Sequence, residues 1–284
     1  MTDKIIISSF ADEYSHDPKI HAEYLKSRGV AYIEPRFIGD KNISDMTEVE
    51  VKEYKKILSS NGVKASSIGS PIGKINLADD FGEHIERTKR CLEAAAILEA
   101  KYMRVFSFYL REGQTRDEAR GEVIEKLGAL CDLAKPYGVT FCHENEAKIY
   151  GEDAEHCLDL MKSLDGRLKC VFDMGNFVLD GVTPYPYAYE LLRDYIEYFH
   201  IKDSMAVGAI VPPGLGEANI EKILKAHVEY AKAPFFITLE PHLETFAGLN
   251  KLVGKAFENP YKFESGEAAF ESALERLKNI VANI

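Results

Sequence analysis

The sequence predicts an α/β fold, a (β/α)8 TIM barrel that forms a single domain over residues 1–284. The first observation behind this prediction is that short β-branched runs alternate with longer segments of helical periodicity, which implies a parallel sheet. The second is that the alternation yields eight strands, the number that closes a barrel. A doubly wound open sheet is the alternative, because periodicity alone does not distinguish the two folds.

The predicted strands are far enough apart for each to be followed by a loop and a crossover helix. They begin near Ile5, Val30, Val63, Lys101, Val139, Leu168, Ile196 and Pro234. The stretch from Leu249 to Glu264 is less periodic, and it predicts a loop before a last helix over roughly 266–281.

Start and stop signals flank several of the predicted helices. Thr47 and Thr115 each fit the start of a capping box, since Glu50 and Glu118 follow three residues later. The segments before strands two, three and five end at a glycine, which adopts the left-handed conformation that closes a helix: Gly29, Gly62 and Gly138. These signals support an α/β chain.

The composition excludes some classes of function. The formal net charge of −11 repels phosphate backbones, so general nucleic-acid binding is disfavoured. No apolar run is long enough to predict a transmembrane helix, and the first ten residues, MTDKIIISSF, make a poor signal peptide. We therefore expect a cytoplasmic protein with no membrane partner.

The cysteines do not predict a disulfide framework or a cysteine zinc site, because their number is odd and no CxxC pair exists. Each lies in an apolar stretch and is expected to be a small core residue. They are Cys91, Cys131, Cys142, Cys157 and Cys170.

Four consecutive predicted strands end on a carboxylate or an imidazole. Strands five and six end at Glu144 and Asp173, and strands seven and eight end at His200 and Glu240. The carboxyl ends of barrel strands converge on one mouth, so these side chains are expected to meet there. Helix caps explain individual acids equally well, and a lone histidine is more often a core residue.

Three carboxylates side by side need a compensating cation to stay ionised. A single divalent ion supplies that charge, and oxygen-rich ligation with one imidazole suits Mn, Mg, Co or Zn, with Mn-like ions favoured. The sequence therefore predicts one divalent metal ion held by Glu144, Asp173, His200 and Glu240.

The residues around these strand ends resemble the motifs of the xylose isomerase-like TIM barrels, and the resemblance runs from strand one to strand eight. The motifs are His143-Glu144-Asn145, Phe172-Asp173-Met174-Gly175-Asn176, Phe199-His200-Ile201-Lys202-Asp203, Leu239-Glu240, Ser70-Pro71-Ile72-Gly73-Lys74-Ile75 and Gly214-Leu215-Gly216-Glu217. The resemblance implies the same four metal ligands. Glu146 is an alternative to Glu144, which is preferred because Asn145 follows it as in the family motif.

The resemblance also implies a reaction class: a metal-dependent isomerase or epimerase of sugars or sugar phosphates. In that mechanism an enediolate forms on proton removal and is stabilised by the metal, while Glu144 and Glu240 act as acid and base. Many family members have a histidine where this chain has Asn176. That departure leaves substrate orientation open, and it argues against the multi-zinc cluster of the DNA-repair members.

Other polar residues at the predicted mouth are expected to contact a sugar or phosphate group, as is Asn176. They are Glu34, Arg36, Arg104, Lys202 and His242. Structural ion pairs are an equal explanation for the two arginines, and loop packing is an equal explanation for His242.

Two other functions fit the same pattern. One is a keto-polyol dehydratase of the inosose type, which would use the same metal and release water. The other is a carbohydrate-binding barrel that lost its chemistry, which the change to Asn176 favours. The sequence leaves open the substrate, its phosphorylation and whether the chain forms a homo-oligomer.

Overall fold

The computed structural model of the protein describes residues 2–243 and 261–284. Eight parallel strands surround a central axis, and each begins within two residues of its predicted position. They are β1 (Ile5–Ser9), β2 (Tyr32–Ile33), β3 (Lys64–Ala65), β4 (Tyr102–Val105), β5 (Thr140–Glu144), β6 (Leu168–Asp173), β7 (Ile196–Ile201) and β8 (Phe235–Leu239).

Hydrogen bonds close these strands into a barrel. Six of them form a continuous parallel sheet in the order β1-β8-β7-β6-β5-β4, and β2 pairs with β3. The Glu34 amide donates to Ser9 O (2.9 Å), which joins β2 to β1. On the other side the Ile68 amide donates to Tyr102 O (3.0 Å) and the Arg104 amide donates to Ile68 O (2.9 Å), which joins β3 to β4. The barrel prediction is confirmed, and the open-sheet alternative is wrong.

Helices connect the strands and cover the barrel. The α-helices of the described residues are α1 (Pro18–Ser27), α2 (Glu48–Ser60), α3 (Phe81–Leu98), α4 (Arg116–Ala134), α5 (Ala154–Ser163), α6 (Met174–Leu179), α7 (Tyr189–Leu192), α8 (Ile220–Tyr230) and α9 (Gly266–Ala282). Both predicted capping boxes form, at Thr47 before α2 and at Thr115 before α4. The three turn glycines take the predicted left-handed conformation, with φ between 65° and 71°.

The core lies between the barrel and its helices. All the cysteines are buried and free, which confirms their predicted core role. The last helix, α9, matches its predicted position. The loop predicted from Leu249 to Glu264 lies mostly outside the described residues. Within residues 2–243 and 261–284, no helix combines the length and the apolar character needed to cross a membrane.

Candidate metal centre

The strand register brings the four predicted ligands together at the carboxyl end of the barrel. Asp173 and His200 are direct partners across β6 and β7. Glu144 ends β5, and Glu240 follows β8, where its amide donates to Ile201 O (3.1 Å). One donor atom from each of the four predicted ligand side chains lies within 4.8 Å of the others, and all four residues are buried. Because the carboxyl ends of the barrel strands converge on one mouth, residues distant in sequence share one site.

The His200 ring faces carboxylates at both nitrogens. Its Nδ1 lies 2.9 Å from Glu144 Oε1 and 3.3 Å from Glu240 Oε2. Its Nε2 lies 3.2 Å from Glu34 Oε2. Burial on its own would lower the pKa of His200, but Glu144 and Glu34 raise it well above the ordinary value. Nδ1 is therefore the nitrogen directed at the other predicted ligands.

Two buried cations pair with the predicted ligand carboxylates. Lys202 Nζ lies 2.9 Å from Asp173 Oδ2 and 3.3 Å from Glu240 Oε2. Arg104 Nη1 lies 3.2 Å from Glu144 Oε2 and 3.7 Å from Glu240 Oε1. These side chains supply part of the positive charge that three adjacent carboxylates require.

A third cation, Arg36, extends this network toward the exposed rim. Its Nη1 donates to Glu240 Oε1 (2.9 Å), its Nε donates to Asp12 Oδ2 (3.0 Å) and its Nη2 donates to Glu13 Oε1 (3.1 Å). The same Nη1 is 3.3 Å from His242 Nε2. Glu13, Glu240 and His242 are close enough to hold a metal ion, but the guanidinium already supplies the positive charge among them. We therefore assign no second metal to this group.

The surroundings shift the pKa values of the carboxylates in different directions. Burial opposes ionisation of all three predicted ligand acids. For Glu144 that effect is outweighed by His200 and Arg104, which lower its pKa, and the pKa of Glu240 is lowered well below its ordinary value by nearby cations. For Asp173 burial dominates and raises the pKa. The surroundings thus favour the ionised form of Glu144 and Glu240 and the protonated form of Asp173.

The donor set fits a divalent ion. Three carboxylates and one imidazole nitrogen are hard and borderline ligands of the kind that Mn, Mg, Co and Zn accept. In addition, Glu144 Oε2 is buried without a hydrogen-bond partner, because Arg104 is near it but outside hydrogen-bond geometry. This oxygen has Arg104 as an ion-pair partner but accepts no hydrogen bond, so it keeps lone pairs that a metal ion could use.

Asn176 is bound into the same cluster. Its backbone N–H donates to Asp173 Oδ1 (2.9 Å), and its side-chain Nδ2 donates to the backbone carbonyl of Asn145 (2.9 Å). Its Oδ1 accepts a hydrogen bond from Lys202 Nζ (3.1 Å). Asn176 therefore holds the lysine against the carboxylates. A contact between Asn176 and substrate stays a prediction.

The other predicted substrate contacts differ in accessibility. His242 and Arg36 are partly exposed at the mouth, with 31% and 14% of their side chains accessible. Arg104 and Lys202 are buried within the ion-pair network, and Glu34 is fully buried behind His200. Their roles toward a substrate stay predictions.

Several residues beside or beneath the predicted ligands were not predicted as site residues from the sequence. Asp12 and Glu13 lie in a short 3-10 turn after β1, and their position after a barrel strand was the signal that could have identified them. Tyr198 and Thr238 each precede a predicted ligand by two residues on the same strand. Since alternate strand residues share a face, both were candidates for the layer below the ligands.

Asp203 organises the loop after β7 rather than the metal centre. Its carboxylate accepts hydrogen bonds from the backbone amides of Ser204, Gly214, Gly216 and Ala218, at 2.8 to 3.1 Å. A Cβ at Gly216 would lie 2.2 Å from Asp203 Oδ1, so only glycine permits this approach. This explains the glycine-rich segment that follows the strand-seven motif.

A cavity of about 380 Å³ lies at the opposite, amino-terminal end of the strands. Its lining includes Lys55, Lys64, Lys101, Tyr32 and Tyr102. It contains none of the predicted site residues, which converge at the carboxyl end.

The fold is that of an α/β barrel, and the acids at its mouth form a possible site for a divalent metal ion. The chain belongs to the xylose isomerase-like TIM barrel family, whose model matches residues 22–279. The resemblance noted in the sequence is thereby confirmed. No curated protein sequence gave a match to the chain.

Solved structures share the fold over nearly the whole chain. The IolI protein with a bound zinc atom is 19% identical, with a TM-score of 0.74 and coverage of 99% of this chain and 98% of that one. D-psicose 3-epimerase with D-tagatose from Clostridium cellulolyticum H10 is 14% identical (TM-score 0.72, coverage 97% and 99%). AsbF from Bacillus anthracis, described as a probable 3-DHS dehydratase, is 18% identical (TM-score 0.69, coverage 89% and 100%). At these identities the likeness establishes the fold alone.

Proposed function

We propose that the protein is a metal-dependent isomerase or epimerase of sugars or sugar phosphates that works through an enediolate. The observation that carries this proposal is the convergence of Glu144, Asp173, His200 and Glu240, with donor atoms within 4.8 Å of one another. Epimerases occur among the structural neighbours, and one of them, a D-psicose 3-epimerase with D-tagatose, supports the substrate class. We expect one divalent ion, either Mn, Mg, Co or Zn.

Asp173 and His200 hold the ion, and Glu144 and Glu240 both hold it and exchange the proton. When bound, the ion supplies positive charge that fixes the substrate oxygens and stabilises negative charge as it develops. Glu144 and Glu240 are ionised, so one removes the substrate proton and the other returns a proton from the opposite face. Return to the same carbon gives an epimer, whereas return to the neighbouring carbon gives an aldose–ketose isomer.

Aromatic and cationic groups shape the surroundings of the two glutamates. Phe10 packs edge-on against His200, with ring centroids 5.1 Å apart. The Arg104 guanidinium lies 5.1 Å from the centroid of the Phe10 ring and 5.0 Å from that of Phe106. These contacts exclude water from one side of the site and fix the arginine that contacts Glu144. A dry, fixed environment favours proton transfer between substrate and carboxylate.

A dehydratase that acts on a keto-polyol is the second candidate, and the structural neighbour described as a dehydratase supports it. The same ion and the same glutamates would serve, but the intermediate would lose its hydroxide as water. Product mass separates the two reactions, because an isomerase conserves mass and a dehydratase releases one water. A non-catalytic carbohydrate binder is the third candidate, favoured by the exchange of histidine for Asn176.

The test is proton exchange with solvent. The purified protein, loaded with Mn²⁺, is incubated in D2O with a panel of ketoses, ketose phosphates and inososes. Proton NMR follows loss of substrate C–H signals, and mass spectrometry follows product mass. We expect exchange that stops on addition of EDTA, and a drop of at least about 100-fold in Glu144→Gln and in Glu240→Gln.

Two further variants test the assignment of ligands. Glu146 pairs with Lys74 (2.7 Å) and lies outside the ligand cluster, so Glu146→Gln is expected to keep most of the exchange. Replacing both Asp173 and His200 with Ala is expected to abolish metal binding. Unchanged metal affinity in that double variant would overturn the site, whereas bound metal without exchange across the panel would favour the binder.

A further inference from the structure

Glu34 has an environment unlike that of a residue that contacts substrate. It follows β2 and is fully buried, with no accessible surface. Its Oε2 accepts hydrogen bonds from Thr238 Oγ1 (2.9 Å) and from the Nε2 of His200 (3.2 Å), and its Oε1 accepts one from the Tyr198 hydroxyl (3.1 Å). Two of these hydrogen bonds thus come from the barrel interior beneath the predicted ligands, and the third comes from the predicted ligand His200 itself.

The position of this carboxylate is itself fixed by its neighbours. Tyr198 and Thr238 precede His200 and Glu240 by two residues on β7 and β8, so they lie on the same inward face one layer below. The Tyr198 hydroxyl also makes a hydrogen bond of 2.8 Å with Ser67 Oγ from the segment after β3. Hydroxyls anchored on two different strands therefore hold Glu34 in one orientation.

We propose that Glu34 is a positioning residue that binds the Nε2–H of His200 and thereby directs Nδ1 of the ring at the metal. The proposal rests on the metal site of the proposed function. A histidine that donates one ring N–H to a carboxylate has its ring orientation and its tautomer fixed, and the other nitrogen keeps its lone pair for the ion. Glu34 is the one carboxylate within hydrogen-bond distance of Nε2 among the described residues.

This arrangement has a consequence for the ring. Without Glu34, no carboxylate among the described residues would accept from Nε2, so the ring would lose the hydrogen bond that favours a proton on Nε2 over one on Nδ1. Residues of this kind typically contribute a factor of about 10 to 100 in metal affinity. The loss should be largest for Glu34→Ala, smaller for Glu34→Gln, whose amide oxygen can still accept from Nε2, and smallest for Thr238→Val.

The test uses the full-length protein and measures metal binding directly. Mn²⁺ affinity is measured by electron paramagnetic resonance for wild type, Glu34→Ala, Glu34→Gln and Thr238→Val. Nitrogen-15 NMR of histidine in the Zn²⁺-loaded protein then reports which ring nitrogen carries a proton. Asp180→Asn is the matched control, because its carboxylate interacts electrostatically with Asp173 but makes no contact with His200.

We expect an Nε2–H signal for His200 in wild type. Mn²⁺ affinity should fall most in Glu34→Ala, less in Glu34→Gln and least in Thr238→Val. In Asp180→Asn it should change by about twofold or less. Mn²⁺ affinity of Glu34→Ala within twofold of wild type, or ligation through Nε2 in wild type, would overturn the proposal. If Glu34→Ala does not fold, by circular dichroism, Glu34→Gln and Thr238→Val decide the question. If wild type binds neither ion, the metal site itself fails; if it binds both and the Glu34 variants match it, only the role of Glu34 fails.

Discussion

Lys202 is predicted to compete with the metal ion for two of its ligands. Its ammonium is buried and lies 2.9 Å from Asp173 Oδ2 and 3.3 Å from Glu240 Oε2. Burial would lower the pKa of Lys202, but Asp173 and Glu240 raise it far above the ordinary value, so the group stays charged. The substitution Lys202→Met keeps most of the aliphatic stem and removes the charge.

The protein without a metal ion and the protein loaded with one should respond differently to Lys202→Met. Removing one partner of a buried ion pair typically costs about 3–5 kcal/mol, because the remaining charge is left uncompensated. At roughly 2 °C per kcal/mol for a chain of this size, the metal-free variant should melt about 6–10 °C below wild type. In the loaded protein the ion supplies the missing charge to Asp173 and Glu240, so the deficit should shrink.

The reduction of the stability deficit on metal binding determines the change in metal affinity. If the ion stabilises the variant by more than it stabilises wild type, the variant must bind the ion more tightly by the same free energy. If the deficit shrinks by about 2 kcal/mol, Lys202→Met should bind the ion roughly 30-fold more tightly. The gain in affinity would accompany a loss of stability in the empty protein.

The assay is thermal unfolding in EDTA and in saturating Mn²⁺, with isothermal titration to measure affinity. Lys74→Met is the matched control: Lys74 pairs with Glu146 at 2.7 Å but is one-third exposed, so its loss should cost at most about 1 kcal/mol in either condition. Weaker Mn²⁺ binding by Lys202→Met, or equal melting of variant and wild type in EDTA, would refute the reasoning.

Other predictions concern stability. Asp203→Asn should lower the free energy of unfolding by about 1–3 kcal/mol in urea, because the loop amides lose a charged acceptor. Gly216→Ala should be more damaging than Gly121→Ala, since a Cβ clashes with Asp203 at Gly216 and meets nothing within 4 Å at Gly121; equal urea midpoints for these two variants would contradict this. Burial lowers the pKa of His227 from 6.5 to about 4, so the unfolded chain takes up this proton first and stability falls as pH drops through that interval. His227→Leu should remove about 1.4 kcal/mol per pH unit of that dependence, and an unchanged slope would contradict it.

Much of the fold followed from local sequence signals. Strand starts, capping boxes and turn glycines depend on a few neighbouring residues, so the pattern around Thr47 or Gly138 contained the information needed. The predicted ligands shared a second kind of signal. Each ends an apolar run, and the barrel itself brings strand ends together, so their meeting required only the correct fold.

Partners of the charged side chains did not follow from the sequence. Arg36 and Lys202 were recognised at strand ends, but their long side chains reach across the mouth to whichever carboxylate the barrel places nearby. Glu34 follows a strand of only two residues, and no alternation over so short a run indicates how deep its carboxylate lies. Glu13 lies in a turn with no strand pattern at all. These positions depend on tertiary geometry.

The charges at the mouth also change the argument for a metal. Three adjacent carboxylates were expected to need a divalent ion. However, the ammonium of Lys202 and the guanidinium of Arg104 already offset part of their negative charge, and the carboxylates raise the pKa of His200, which favours its cationic form. Charge repulsion by itself is therefore an insufficient reason to assign an ion. Two observations argue for an ion: one donor atom from each of the four side chains lies within 4.8 Å of the others, and Glu144 Oε2 accepts no hydrogen bond. Since Lys202 already pairs with Asp173 and Glu240, an ion held by these carboxylates would compete with the lysine for them rather than fill an uncompensated cluster of acids.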